Sequence, residues 1–487
     1  MSEAATSLPP EEHSGNGLKP SVEARCARHP GMSGIHPLND GLDAFAARYQ
    51  MMSMAQHSID VQYYIWHNDM SGRLLFSALL DAAERGVKVR LLLDDNNTPG
   101  LDETLAELDR HANIAVRLFN PFSFRTLRAL GYLTDFSRLN RRMHNKSLTV
   151  DGAATLVGGR NIGDEYFGTG DEPLFTDLDV LAIGPVVDEV TQDFERYWRS
   201  KAVSPLRKVV DVSGDAHQAV RLPQEWQQSE AVERYLARLE HSSFISQMER
   251  GELEMTWAES RLLSDDPRKG LGKAKRRSLL PQRMLEVIGT PQQQFDIISA
   301  YFVPTRAGVA QLLALKRRGV KIAILTNSLA ANDVTVVHAG YARWRKKLLR
   351  HGIALYELKP QDNPQSAPHD RGITGNSGSS LHAKTFTVDN RKVFIGSFNF
   401  DPRSAMLNTE MGLVIESETL AQQTHQRFIA GMRDRAWTLR LDNWGRVNWV
   451  EFANEQGEVV HKHEPQCTLL QRLLVRLVWR LPVEWLL

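Results

Sequence analysis

Two cysteines, Cys26 and Cys467, are all that this chain of 487 residues contains. They stand near opposite ends, which makes a disulfide framework improbable and fits a reducing compartment. Net charge is nearly absent as well: 59 Lys and Arg against 58 Asp and Glu leave +1. A protein that grips nucleic acid through many phosphates carries a larger basic excess, so no nucleic-acid partner is expected. No apolar run is long enough to cross a bilayer. The stretch from Met1 to Pro20 carries Glu11 and Glu12 and does not read as a secretory signal. The chain is expected to be soluble or to lie on a membrane surface. Neither HExxH nor paired CxxC occurs, so no metal and no cofactor is expected.

What the chain does contain is one motif written twice. His144-Asn-Lys146-Ser-Leu-Thr-Val-Asp151 is followed by Gly158-Gly-Arg-Asn161, and His382-Ala-Lys384-Thr-Phe-Thr-Val-Asp389 by Gly396-Ser-Phe-Asn399. The repetition extends further. Ile59 to Ile65 reads as a strand, a helical stretch runs through Leu74 and Leu79, and Arg85-Gly-Val-Lys begins a second strand. Phe295 to Phe302, the helical stretch through Leu312, and Arg318-Gly-Val-Lys repeat that order at an offset of roughly 235 residues, far beyond solenoid periods. Strand–helix–strand with a Gly-Val turn predicts an α/β fold made of two similar domains.

The reading divides the chain into a disordered, polar N-terminus (1–35), a first domain (36–200), a linker or insertion (201–290), a second domain (291–440) and a C-terminal extension (441–487). Asp265 to Arg277 reads as an exposed charged loop, and Gln361 to Ser380 as a flexible one at a site entrance.

Each histidine motif predicts a hairpin: His144 to Val150 alternates, Asp151-Gly152 is a turn pair, and Thr155 to Val157 returns. Side chains two apart on a strand share a face, which points His144 with Lys146, and His382 with Lys384, into one space. Cleaving a phosphodiester without metal needs a nucleophile, an acid for the departing alkoxide, and cations for the nonbridging oxygens. The histidines can supply the first two and the lysines the third, with Asn161 and Asn399 donating further hydrogen bonds. A histidine so used is held in one tautomer by a carboxylate. Asp177 and Glu410 follow their histidines at comparable distances and are the candidates. Asp151 and Asp389 fall at the turns, where aspartate orders its own backbone.

These paired motifs resemble those of the phospholipase D superfamily. VQYYIW (61–66), RLLLDDNNTPG (90–100), VGGRNIGDEYFG (157–168) and IGSFNFDP (395–402) are similar to segments of the bacterial cardiolipin synthases. The similarity runs from about Asp40 to Leu487. The resemblance implies two phospholipase D-type domains sharing a central active site, with Asp151 and Asp389 counted beside the histidines and lysines as catalytic. One histidine would form a phosphohistidine and the other serve as acid, then base. Implied substrates are phosphatidylglycerol and phosphatidylethanolamine, with ethanolamine released. The implied location is peripheral, on the cytoplasmic face of the bacterial inner membrane. Gly159 departs from the pattern, which often has serine there, so Ser397 alone is carried over as phosphate-binding.

Two segments are candidates for contact with a bilayer. In Leu469 to Leu481, Arg472, Arg476 and Arg480 share one helical face and leucines load the rest, an interfacial pattern. Such arginines contribute roughly 1 kcal/mol each near anionic lipid, and a buried leucine about 1.5–3 kcal/mol. Phe119 to Met143 mixes aromatics and leucines with five arginines and runs into His144; it suits a lipid entrance or a packed core equally. Tyr341 to Arg350 is a lesser candidate for anionic headgroups, or the outer face of a helix.

Overall fold

The computed structural model describes residues 18–478, apart from 124, 126–127, 169–175, 213–218, 224–225, 227–228, 241, 333–334, 361–380 and 454–456. Two mixed sheets backed by helices form the expected α/β fold. Ser58–Tyr63 lies parallel to Lys88–Asp94 across the helix Met70–Glu84, and Gln294–Ser299 to Lys321–Asn327 across Arg306–Arg317. Side-chain caps start both crossover helices: Asp69 accepts from Gly72 N, Thr305 from Gly308 N. Each helix then turns into its strand through a left-handed glycine, Gly86 at φ 98° and Gly319 at φ 90°. A side chain at either position would strain the turn, which is why both copies read Arg-Gly-Val-Lys.

The histidine hairpins stack beside the first strand of each unit. Ser147–Val150 runs antiparallel to Ser58–Tyr63 and returns as Ala154–Gly158. Lys384–Val388 does the same beside Gln294–Ser299 and returns as Lys392–Gly396. The first ladder starts at Ser147 rather than His144, because Met143 forms a bridge with Thr409 of the second half and His144 N donates to Thr409 O.

The halves are joined by more than contact. Thr256–Ser264 pairs at its start with Ser33–Leu38 of the first sheet and along the rest with Met411–Glu416 of the second. Residues 201–290, read as a linker or insertion, therefore supply a shared strand. Glu259 and Arg261 on its exposed side break the apolar run and hide it from sequence. Ile35, Val157 and Val180 share one apolar cluster with Val393, Ile395 and Leu413, so the two halves bury a common core.

Other expectations need correction. The N-terminus is ordered from Leu18: the helix Leu18–Cys26 packs Val22 on the first core, and Arg25 donates to Leu253 O. Asp265 to Arg277 is only partly exposed. Asp265 and Lys269 form a buried ion pair at 2.7 Å, and Lys269 also donates to Ser404 O. Four residues apart across a short turn, their opposite charges can satisfy each other inside. In Tyr341 to Arg350, Tyr341 is buried and Arg345 is paired with Glu357 and Glu464, so the middle of that segment faces inward. Gln361 to Ser380 lies outside the described residues.

Both membrane candidates are two-faced. The helix Leu469–Val478 packs Val475 and Val478 with Leu329 and Ala339, yet leaves Leu469, Leu470, Leu473, Leu474 and Leu477 exposed. Arg480 lies outside the described residues. Within Phe119 to Met143, Phe119, Phe122 and Met143 are core residues, while Leu130, Leu133 and Phe136 on the helix Arg128–Leu139 are exposed.

Candidate active site

His144 and His382 line one cavity of about 230 Å³ at the junction of the halves. Each is held at two points by the opposite half. His144 N donates to Thr409 O at 2.9 Å, and its Nδ1 lies 2.8 Å from Glu410 Oε2. His382 N donates to Thr176 O at 2.8 Å, and its Nδ1 lies 2.5 Å from Asp177 Oδ2. Asp177 and Glu410 each lie against a histidine ring, but crossed: neither meets the histidine it follows in sequence. Chain order suggests pairing within a copy, whereas the bridges Met143–Thr409 and Thr176–Leu381 lay each carboxylate under the other copy's ring.

Just upstream, a polar side chain clamps the residue before each histidine. Asp94, at the end of Lys88–Asp94, accepts from Met143 N at 2.7 Å and pairs with buried Arg142. Asn327, at the end of Lys321–Asn327, accepts from Leu381 N and donates to Leu381 O. Tyrosines complete the walls: Tyr64 stands edge-on to His144 with ring centroids 5.0 Å apart, and Tyr166 to His382 at 5.1 Å.

The charges around the rings are unusual for a buried place. Burial lowers His144 to about 4 against the upward pull of Glu410, with Lys146 pushing it down further. Burial and Lys384 lower His382 to about 3, although Asp177 works the other way. Burial opposes charge on Asp177, yet His382, Lys384 and Arg160 hold its carboxyl well below the usual range. Both imidazoles are therefore neutral at rest, each against an ionised carboxylate, and with Nδ1 so engaged the chemistry falls to Nε2.

Lys146 and Lys384 are buried beneath the rings rather than on the cavity wall. Lys146 Nζ donates to His144 O at 2.6 Å, and Lys384 Nζ to His382 O. Burial lowers the Lys146 ammonium well below its ordinary value, and the Lys384 charge lowers it further. Asn161 and Asn399 do line the cavity. Asn161 donates to the Tyr166 hydroxyl, while buried Asn399 Oδ1 meets no donor among the described residues.

Three predicted site residues lie elsewhere. Ser397 is not placed to touch phosphate: its hydroxyl donates to Glu410 Oε2 and accepts from Met411 N, deep behind the ring. Asp151 and Asp389 are not among the residues that line the cavity. Asp151 accepts from Gln56 N, His57 N and Ser58 N, and Asp389 from Gln292 N, Gln293 N and Gln294 N. Each carboxylate stitches the far end of its hairpin to the start of the neighbouring strand, with φ at 52° and 54°. At the opposite end of the strand from its histidine, neither reaches the cavity.

Sequence reasoning missed Tyr64, Tyr166, Asp401 and Arg403 on the cavity wall. The tyrosines were inside the quoted resembling segments, and that was their signal. The Arg403 guanidinium is anchored on Asn140. Burial raises the Asp401 carboxyl to about 7. Among the described residues, one group has metal-ligand reach: His67, Asp69 and Glu165. The Asp69 carboxylate is already spent on Gly72 N, Ser71 Oγ and Asp164 N.

Comparison with known proteins agrees with this architecture. A family model described as "Cardiolipin synthase, PLD-like domain" matches residues 49–198 and 284–432. The chain is 65% identical to Cardiolipin synthase C of Escherichia coli strain K12 over 96% of its own length and 99% of that protein. It is 25% identical to Cardiolipin synthase B of the same strain, over 80% of this chain and 78% of that one. Among solved structures, phosphatidylserine synthase of Haemophilus influenzae Rd KW20 matches with a TM-score of 0.58 at 14% identity, covering 96% of this chain and 99% of that one. That likeness speaks for the fold. A paired histidine site across two α/β halves, the family match and the near full-length relative together show that this chain belongs to the cardiolipin synthase family of phospholipase D-like proteins.

Proposed function

We propose that the protein is a phosphatidyltransferase that makes cardiolipin from phosphatidylethanolamine and phosphatidylglycerol on a membrane surface. The single observation that carries this is the pair of carboxylate-held imidazoles facing one cavity from opposite halves.

The lysine charges beneath the rings lower both histidines, and that field helps keep both rings unprotonated. An anionic phosphodiester offsets the field and lets one ring take a proton. Nε2 of the other ring attacks phosphorus, an N–P bond forms, and the P–O bond to ethanolamine breaks. The protonated ring gives its proton to the leaving oxygen. It then takes a proton from a glycerol hydroxyl of phosphatidylglycerol. That oxygen attacks phosphorus, the N–P bond breaks and cardiolipin leaves. The cavity asparagines steady the phosphoryl group directly, and Lys146 and Lys384 act on its charge from beneath the rings. Either histidine fits either role.

For attachment, the five exposed leucines of Leu469–Val478 together with Arg472 and Arg476 suit the interface of an anionic leaflet. No helix among the described residues is long and apolar enough to span a bilayer. The reading places the protein peripherally, on the cytoplasmic face of the inner membrane.

The test is product analysis with purified protein and labelled phosphatidylglycerol plus phosphatidylethanolamine. Cardiolipin with free ethanolamine is the expected result. Phosphatidic acid alone would make it a hydrolase, and phosphatidylserine formed from serine would make it a different transferase.

A further inference from the structure

Next to the cavity, the helix Arg128–Leu139 presents a bare apolar side. Leu130 and Leu133 stand three apart, Leu133 being 83% exposed, and exposed Phe136 follows a kink at Asp135. The inner side of the helix is pinned. Arg128 donates to Asp95 O and Asn96 O, Tyr132 to Asn96 Oδ1, and Arg138 to Asn120 Oδ1. Its C-terminal end touches the site itself, because cavity-lining Arg403 is anchored on Asn140.

Beside that end lies a basic rim. The side-chain amide of Asn120 donates to Arg138 O and Arg141 O and also to Gly270 O, tying the helix to the turn that follows Lys269. The Arg141 guanidinium lies against Gly272. Beyond it Lys273, Lys275, Arg276 and Arg277 are exposed. None of the four has a carboxylate partner among the described ion pairs. An apolar projection flanked by unneutralised cations matches the layering of an anionic leaflet, hydrocarbon beneath negative headgroups.

We propose that the helix Arg128–Leu139 and the basic turn 268–277 form one docking surface for an anionic phospholipid bilayer. It seats the mouth of the cavity on the leaflet that holds its substrates. The inference rests on the lipid-transfer reading and adds where, and by what chemistry, the site meets the membrane. The committed occupant is the bilayer, on charge complementarity.

The test compares wild type with Leu133→Asp, on vesicles of phosphatidylglycerol and phosphatidylethanolamine and on the same lipids as short-chain monomers below their micelle concentration. Docking predicts a loss of about tenfold or more on vesicles and a change within about twofold on monomers. Unchanged vesicle activity would overturn the inference; so would equal loss on both substrates, which would make Leu133 part of the site's scaffold. Wild type inert towards monomers and vesicles alike would instead sink the lipid-transfer reading. A second variant, Lys273→Gln with Lys275→Gln, Arg276→Gln and Arg277→Gln, tests the rim. Vesicle activity should lose most of its salt dependence, with monomer turnover kept; an unaltered salt dependence counts against the basic turn.

Discussion

Behind His144 stands a glutamate supported by a serine; behind His382 stands an aspartate with a glycine in the serine's place. The difference is coupled. Asp177 is one methylene shorter than Glu410, and its carboxylate occupies the space that a side chain at 159 would need. A Cβ at 159 would collide with the Asp177 carboxylate. The donor lost with the serine is replaced by a backbone group, since Asp177 Oδ1 accepts from Leu178 N at 2.8 Å. The departure at Gly159 is thus half of an exchange, not a missing phosphate ligand. The same contrast recurs upstream, where a charged Asp94–Arg142 pair does in one half what neutral Asn327 does in the other. Two copies of one design keep the ring positions and vary the means.

The largest effects should separate the rings. His144→Ala and His382→Ala should each lower kcat by ~10⁴ or more on phosphatidylethanolamine. With a donor whose leaving group is p-nitrophenolate, no proton is needed at departure. Only the variant lacking the acid should then form the covalent intermediate; rescue of both would deny the division of labour.

Next come the carboxylates. Glu410→Gln and Asp177→Asn should each cost ~10²–10⁴ in kcat. Ring nitrogen resonances decide the crossing: Glu410→Gln should move those of His144 and leave those of His382 in place, and Asp177→Asn the reverse. The opposite assignment would break the crossed arrangement.

The exchange itself can be swapped. Gly159→Ser alone should damage activity by pushing Asp177 away, and Asp177→Glu alone by crowding His382. The double variant should recover at least about tenfold over the product of the two losses. Strict additivity would show that the two positions are uncoupled.

Asp151→Asn and Asp389→Asn should affect folding and leave chemistry alone. Each removes a charged acceptor shared by three backbone N–H groups, at a cost of ~2–3 kcal/mol in denaturant unfolding. The kcat of folded protein should stay within about threefold. A much larger loss of kcat in either would return that aspartate to the catalytic set.

The smallest effect is in pH. Both rings are depressed, to about 4 and about 3, from an ordinary value of 6.5. A depressed base contributes stability that is fully present above pH 6.5 and is lost as pH falls towards 4, because the unfolded chain binds the proton first. The acid limb of kcat/KM should likewise fall well below 6.5. A limb centred at 6.5 or higher would contradict the burial of the rings.

Much of this was legible in the chain because it was written twice. Duplication made His144, Lys146, His382 and Lys384 stand out, and the Gly-Val turns revealed the parallel units. Asp177 and Glu410 were found by position, but their crossing was not, because linear order carries no information about which half faces which. Asp151 and Asp389 belong to the same motif as the histidines, yet the hairpin carries them to its far end. Ser397 was misread because its partner is Glu410, thirteen residues further along. The shared strand Thr256–Ser264 was hidden by its exposed charges, and the burial of Asp265 and Lys269 by a composition that reads as solvent-facing.

The central measurement is an alkaline quench during turnover of labelled phosphatidylethanolamine, followed by mass spectrometry of the digested protein. Transfer through the paired imidazoles predicts a phosphatidyl adduct on one of His144 and His382, discharged to cardiolipin when phosphatidylglycerol is added. An adduct on any other side chain, or an adduct that phosphatidylglycerol does not discharge, would contradict it.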